Sequence, residues 1–149
     1  MAASVGFQKN HNILLAEGDP DHILVFQEAF GETGSNSNLQ VVGDGQELAR
    51  YLKRETGYER SPRPDLIFLD VDLPGKGGLE ILSDVKACPS CRRIPIIILA
   101  SSDDQEQVDR CYELGANSFM TKPLNFDKLI DFIQTSEKYW FYTANLPSR

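Results

Sequence analysis

Apolar residues in this chain fall into short runs, separated by stretches where they recur three or four positions apart. The runs are Ile13-Leu14-Leu15-Ala16, Leu39 to Val42, Leu66-Ile67-Phe68-Leu69, Ile96-Ile97-Ile98-Leu99 and, more weakly, Asn117 to Thr121. A brief apolar run bounded by turn formers predicts a strand buried on both faces. The central one is Leu66 to Leu69, with Pro62 and Pro64 before it and Pro74 and Gly75 after. The intervening spacing predicts helices. Ile23, Phe26 and Phe30 mark one that opens at Asp19-Pro20 and stops by Gly31 or Gly34. Leu48, Tyr51 and Leu52 mark the second, and Leu79, Leu82 and Val85 the third. Val108, Cys111 and either Tyr112 or Leu114 mark the fourth. Ser102 with Gln105 has the form of its capping box, and Gly115 of its C′ residue. Leu129, Phe132 and Ile133 mark the last, starting near Asn125. Strand and helix alternate five times with no repeat and no internal linker. The expected fold class is therefore α/β: a doubly wound, five-stranded parallel sheet with helices on both faces. Residues 12–134 form the expected domain, and 135–149 a tail that continues the last helix.

Composition narrows the function. The chain has 149 residues, 41% hydrophobic and 25% charged, which suits one domain with a sizeable core. A net charge of −7 argues against nucleic-acid binding, which needs a basic face. No apolar run is long enough to span a bilayer. Met1 to Phe7 lacks the charged-then-apolar order of a signal peptide, so a cytoplasmic location is expected. Cys88-Pro89-Ser90-Cys91 has redox or half-zinc spacing, but no second pair exists, and neither His11 nor His22 is spaced to join it. Free thiols in a loop are expected, with Cys111 in the core.

Candidate chemistry comes from the strand ends. The order of elements puts Glu17, Asp70 and Lys122 at the carboxyl ends of three strands, the edge where open α/β sheets bind ligands. Any one of them alone reads as structural, and Asp70 could merely cap a loop. Together they read otherwise. Clustered carboxylates call for a cation, and hard oxygen ligands suit Mg²⁺. A lysine beside them suits a phosphoryl oxygen.

These residues carry a resemblance. Over roughly Asn12 to Asp131 the chain resembles the receiver domains of two-component response regulators, whose fold is the flavodoxin-like (βα)5 sandwich. The resemblance rests on Glu17-Gly18-Asp19, Asp70-Val71-Asp72-Leu73-Pro74-Gly75, Leu99-Ala100-Ser101-Ser102 and Lys122-Pro123. The spacing from Asp70 to Ala100 and to Lys122 fits without a gap. Leu73-Pro74-Gly75 and the tail Tyr139-Trp140-Phe141-Tyr142 before Leu146-Pro147 are similar to single-domain regulators paired with cyanobacterial phytochromes. The resemblance implies that Asp70 accepts a phosphoryl group from the phosphohistidine of a sensor histidine kinase. It implies that Glu17 and Asp70 hold Mg²⁺ with the backbone carbonyl of Asp72, and that Lys122 pairs with phosphoryl oxygens. It implies a signalling protein, not an enzyme acting on an external substrate. Phe119 takes the place of an aromatic that moves on activation, or is simply a buried strand residue.

Two positions depart from the family pattern. Receivers have two adjacent acids after the first strand; here Gly18 replaces the second, leaving Asp19 or Asp72 to compensate. Ala100 stands where the family has a serine or threonine, and a one-residue step along a strand would turn Ser101 to the other face. Those departures motivate an alternative, a degenerate receiver that acts as a phosphorylation-independent interaction module. A further alternative is a haloacid-dehalogenase-type phosphatase, suggested by Asp70-Val71-Asp72. Against it, the motif follows the third strand and no cap or later acidic metal motif is present. The short tail leaves output to contact with an unknown downstream protein. Its aromatics read either as a homodimer interface burying Trp140 through the last helix, or as packing on the chain's own helix face.

Overall fold

A computed structural model describes residues 10–123 and 125–148. The expectation about Met1 to Phe7 lies outside these. Strands β1 (Asn12–Ala16), β2 (Asn38–Val42), β3 (Leu66–Asp70), β4 (Ile96–Ala100) and β5 (Ser118–Thr121) form one sheet. Helices α1 (Pro20–Glu32), α2 (Gly45–Leu52), α3 (Gly78–Ala87), α4 (Gln105–Glu113) and α5 (Phe126–Glu137) alternate with them. The strand order is β2-β1-β3-β4-β5, and every pairing is parallel. This is the flavodoxin-like arrangement. Its strand order reverses between β1 and β3, which opens a crevice at their carboxyl ends.

Alternation along the strands divides the core. Leu14, Ala16, Ile67, Leu69, Ile96, Ile98 and Ala100 face α2, α3 and α4, and meet Leu48, Tyr51, Leu82 and Cys111. Ile13, Leu15, Leu66, Phe68, Ile97 and Leu99 face α1 and α5, and meet Phe26, Leu129 and Ile133. Both faces are covered, which is why β1, β3 and β4 read as nearly continuous apolar runs. Phe68 is fully buried, with Phe26 and Phe132 ring centroids 5.4 and 5.5 Å away. Burial of a side chain that size contributes about 1.5–3 kcal/mol.

Local signals behave mostly as expected. Asp19 caps α1 by accepting the N–H groups of Asp21 and His22, and Asn125 caps α5. Gly115 follows α4 with φ +104°, the left-handed conformation that suits glycine there. The cap of α4 differs. Asp104, not Ser102, is its N-cap, and its carboxylate accepts the N–H of Gln107. Four consecutive residues of capping type, Ser101 to Asp104, stand here, and the one three before Gln107 lies at the spacing a cap needs. Of the candidates for α4's apolar face, Cys111 is fully buried, Leu114 packs partly against the core and Tyr112 is exposed.

Cys88, Cys91 and Cys111 are free thiols. Cys91 is buried, and the Ser90 hydroxyl lies between the sulfurs of Cys88 and Cys91, 3.3 and 3.6 Å away.

The tail is not a plain continuation of α5. Lys138–Thr143 winds as a π-helix, which closes with the Ala144 N–H donating to the Tyr139 carbonyl. The wider turn redistributes the four aromatics. Phe141 is buried and stacks on His11, with ring centroids 4.1 Å apart and planes 3° from parallel. Trp140 packs half-buried against the α1/α5 face of the core. Tyr139 and Tyr142 stay exposed, at 53% and 66%. Of the two readings of the aromatics, packing on the chain's own helix face holds for Phe141 and in part for Trp140. Among the described residues no helix is long and apolar enough to cross a membrane.

Candidate functional site

The strand order makes neighbours of the acids that the sequence spaces far apart. β1 pairs with β3, with Ala16 opposite Leu69, so Glu17 and Asp70 emerge side by side. Asp70 is opposite Leu99 of β4. Lys122 lies one strand further out, its N–H donating to the Ala100 carbonyl at 2.8 Å. Its four-carbon stem crosses the end of β4 and brings Nζ to 2.7 Å from both Asp70 Oδ2 and Glu17 Oε1. Both carboxylates are nearly buried, with side chains 4% and 5% exposed. Carboxylates so placed need a cation. Asp70 Oδ1 accepts the Asp72 N–H at 2.8 Å, which fixes the orientation of the carboxylate.

Electrostatics separates the two acids. Burial, reinforced by the neighbouring Asp70, raises the pKa of Glu17. Burial opposes ionisation of Asp70 too. Interaction with neighbouring Glu17 and hydrogen bonds from the Lys122 ammonium and the Asp72 N–H outweigh it and hold Asp70 below the usual carboxylate range. Their shared site thus favours the ionised form of Asp70 more than that of Glu17. Burial alone would favour a neutral lysine, but the two carboxylates reverse that and raise Lys122, which stays an ammonium.

Five of the residues expected from the sequence are brought to one place. Glu17, Asp70, Asp72, Ser101 and Lys122 line an open cleft of about 270 Å³, with Gly18, Asp19 and Pro74 on its rim. Ser101 departs from expectation. β4 ends at Ala100, so strand alternation no longer governs the next residue, and Ser101 lines the cleft as an exposed residue. Ala100 itself is core, 1% exposed. Phe119 packs partly buried against the α2/α3/α4 face and is not part of the cleft lining.

Gly18 has a structural reason. A Cβ there would lie 2.3 Å from Pro74 Cδ and 2.5 Å from its Cγ. The proline ring fills the space a second acid would need. Asp19, one candidate substitute, caps α1 through Oδ1, and Asp72 contributes its N–H to Asp70.

One residue of the site was not anticipated. His22 sits in the first turn of α1, with Nδ1 3.0 Å from Lys122 Nζ and 3.6 Å from Glu17 Oε1. Among the described residues, Glu17, His22 and Asp70 form the group whose ligand atoms lie mutually within 4.8 Å. The sequence signal was the position itself: three residues after an N-cap at a strand's carboxyl end.

Comparison with known proteins agrees with this geometry. The family described as "Response regulator receiver domain" matches residues 13–134. The response regulator Rcp1 of Synechocystis sp. is 35% identical, over 91% of this chain and 92% of its own length. The probable methanogenesis regulatory protein FilR2 of Methanothrix harundinacea is 32% identical, over 86% of this chain and 82% of its own. Among solved structures, the phosphorylated cyanobacterial phytochrome response regulator RcpA superimposes with a TM-score of 0.87. It is 35% identical, and the match covers 94% of this chain and all of that one. The Mn²⁺-bound form of Rcp1 gives 0.82 at 35% identity, over 93% of this chain and 99% of its own.

Proposed function

This chain belongs to the response-regulator receiver family, and we propose that it accepts a phosphoryl group on Asp70 from a sensor histidine kinase of the phytochrome type. The observation that carries the reading is the Asp70 carboxylate at the end of the central strand, 2.7 Å from the Lys122 ammonium and facing an open cleft. An oxygen of Asp70 attacks the phosphorus of phosphohistidine. The P–N bond breaks, its electron pair returns to the imidazole nitrogen, and that nitrogen takes a proton. Catalysis here is positioning and charge neutralisation. The Asp72 N–H holds one Asp70 oxygen in place and Lys122 meets the incoming phosphoryl oxygens.

Two nearly buried carboxylates beside a cleft are hard oxygen donors that fit a divalent cation such as Mg²⁺. Glu17 and Asp70 would hold it, together with the Asp72 carbonyl. Bound there, it would offset the charge that gathers between acceptor and phosphoryl group. Likeness to Rcp1 and to RcpA supports the choice of kinase type.

Ser101, Phe119 and Ala100 form the proposed route from phosphoryl group to surface. Ser101 lines the cleft, whereas Ala100 offers no hydroxyl, so the phosphorylated state shifts the conformational equilibrium weakly. Output passes by surface contact to another protein in the cytoplasm, where free thiols such as these persist. The exposed Tyr139 and Tyr142 support a homodimer through the end of α5 and the tail, with residues 12–134 as the receiver proper. Sedimentation of the chain and of a Tyr139→Ser, Tyr142→Ser variant tests this; equal masses would remove the tail from the interface.

Phosphorylation is tested by incubating the chain with acetyl phosphate and Mg²⁺. Intact mass should rise by one phosphoryl group, and borohydride trapping should place it on Asp70. Label on Asp19 or Asp72 instead would overturn the assignment.

A further inference from the structure

We propose that His22 is a direct ligand of the divalent cation, through Nδ1, in place of the carboxylate that position 18 lacks. The site then favours Mn²⁺ over Mg²⁺. This rests on the receiver reading and adds to it a residue and a metal preference.

Position 18 is closed to a side chain, because Pro74 occupies the space of its Cβ. Asp19 caps α1 through Oδ1, and neither it nor Asp72 belongs to the group of mutually close ligand atoms among the described residues. The third ligand atom beside Glu17 and Asp70 belongs to His22.

The state of its nitrogen follows from its partner. An ammonium has donors and no acceptor, so Nδ1, 3.0 Å from Lys122 Nζ, must be the nitrogen with the free lone pair. The same ammonium touches Glu17 Oε1 and Asp70 Oδ2 at 2.7 Å each. Three acceptor atoms from three elements thus converge on a single positive centre. A divalent cation suits that point, leaving Lys122 to turn towards a phosphoryl oxygen.

The other ring nitrogen is also placed for this role. Nε2 lies 3.7 Å from Asp19 Oδ2, an outer carboxylate of the kind that supports a metal-binding imidazole once the two draw together. His22 is half-exposed on a first helical turn, so its ring can close the remaining distance. Mg²⁺ takes oxygen ligands and dehydrates reluctantly, whereas borderline divalent ions accept imidazole nitrogen.

The test uses the full chain. Mn²⁺ affinity is read from the EPR signal of the free ion, Mg²⁺ affinity by competition, and the ligand atom from ¹⁴N coupling in pulsed EPR. Bound Mn²⁺ should show imidazole ¹⁴N coupling, and His22→Ala should abolish it. Loss of an outer-shell partner already weakens metal binding roughly tenfold, so His22→Ala should weaken Mn²⁺ by about that factor or more, and Mg²⁺ far less. His22→Asp should move the preference back towards Mg²⁺. Absence of ¹⁴N coupling in the native protein, or unchanged Mn²⁺ affinity in His22→Ala, overturns the role of His22. If Asp70→Asn weakens Mn²⁺ in that case, the receiver cation site stands without the histidine. If Asp70→Asn leaves Mn²⁺ binding unchanged, the receiver reading of the site falls with it.

Discussion

Two aspartates bracket the central strand. Asp65 immediately precedes β3 and Asp70 ends it; both are buried, at 8% and 3% exposure. Asp65 Oδ2 accepts the Asn12 N–H at 2.9 Å, while the Asp65 N–H donates to the Asn12 carbonyl at 2.7 Å. Asp70 Oδ2 instead accepts from the ammonium of Lys122, at the end of a long flexible stem. A backbone N–H cannot leave without unpairing the sheet, but an ammonium can turn to another partner. A buried acid's reactivity is set less by its depth than by whether its partner can be exchanged.

Neutralising each acid in turn should separate the two ends of the strand most strongly. Asp70→Asn should abolish phosphoryl incorporation from acetyl phosphate, measured by intact mass. Asp65→Asn should leave incorporation intact; its loss would mean that the two ends of the strand are not functionally separate.

Stability should show the reverse weighting. Asp65→Ala leaves the Asn12 N–H without this buried acceptor, which costs about 1–3 kcal/mol. Urea unfolding should show that loss, and a cost near zero would make Asp65 a bystander.

The reactive end depends on tight loop contact as well as on exchangeable charge. Gly18→Ala drives a Cβ into Pro74 and should cost about 1–3 kcal/mol. Pro74→Ala in the same chain should recover part of that, with a coupling of about 0.5–3 kcal/mol. Simple additivity in the double-mutant cycle would show that the two residues do not meet.

The smallest effect is expected at a third buried acid, at the end of α5. Glu137 is buried, and its Oε1 has no hydrogen-bond partner among the described residues. Burial raises its pKa above 4.5, against a smaller opposing hydrogen bond from Ser35. A carboxyl group with a raised folded pKa binds protons more tightly folded than unfolded. Its contribution is most favourable at acid pH and is lost as pH rises from 4.5 through the folded value. Glu137→Gln should gain about 1 kcal/mol at neutral pH and nothing at pH 4. An equal gain at both pH values would assign the effect to shape instead of charge.

Much of this was legible in the chain because burial on both faces writes an unmistakable pattern. The runs at Leu66 and Ile96 name their own strands, and the order of elements brings Glu17, Asp70 and Lys122 to one edge. What stayed hidden were contacts between distant loops and single turns. Gly18 shows a missing acid, but nothing near it shows Pro74 filling the gap from 56 residues away. His22 carries no periodic signal, because one turn of helix aims it at the cleft. Four adjacent aromatics fit the period of neither an α-helix nor a strand, and only a π-helical turn sends Phe141 inward while Tyr142 stays out. At the start of α4 the serine-to-glutamine spacing pointed to Ser102, whereas the cap forms two residues on, at Asp104.

The stacking of Phe141 on His11 has a consequence for connectivity. It ties the tail to the residue that leads into β1, and Leu146 and Pro147 lie beside Pro64, Asp65 and Pro95, at the edge opposite the cleft. Both ends of the described chain therefore leave from the same side of the sheet. The backbone is suited to circular permutation: residues 10 and 148 joined by a short linker, and a new opening cut in the exposed Arg54 to Arg60 loop. The carboxyl edge, with its acids and lysine, would be left as it is.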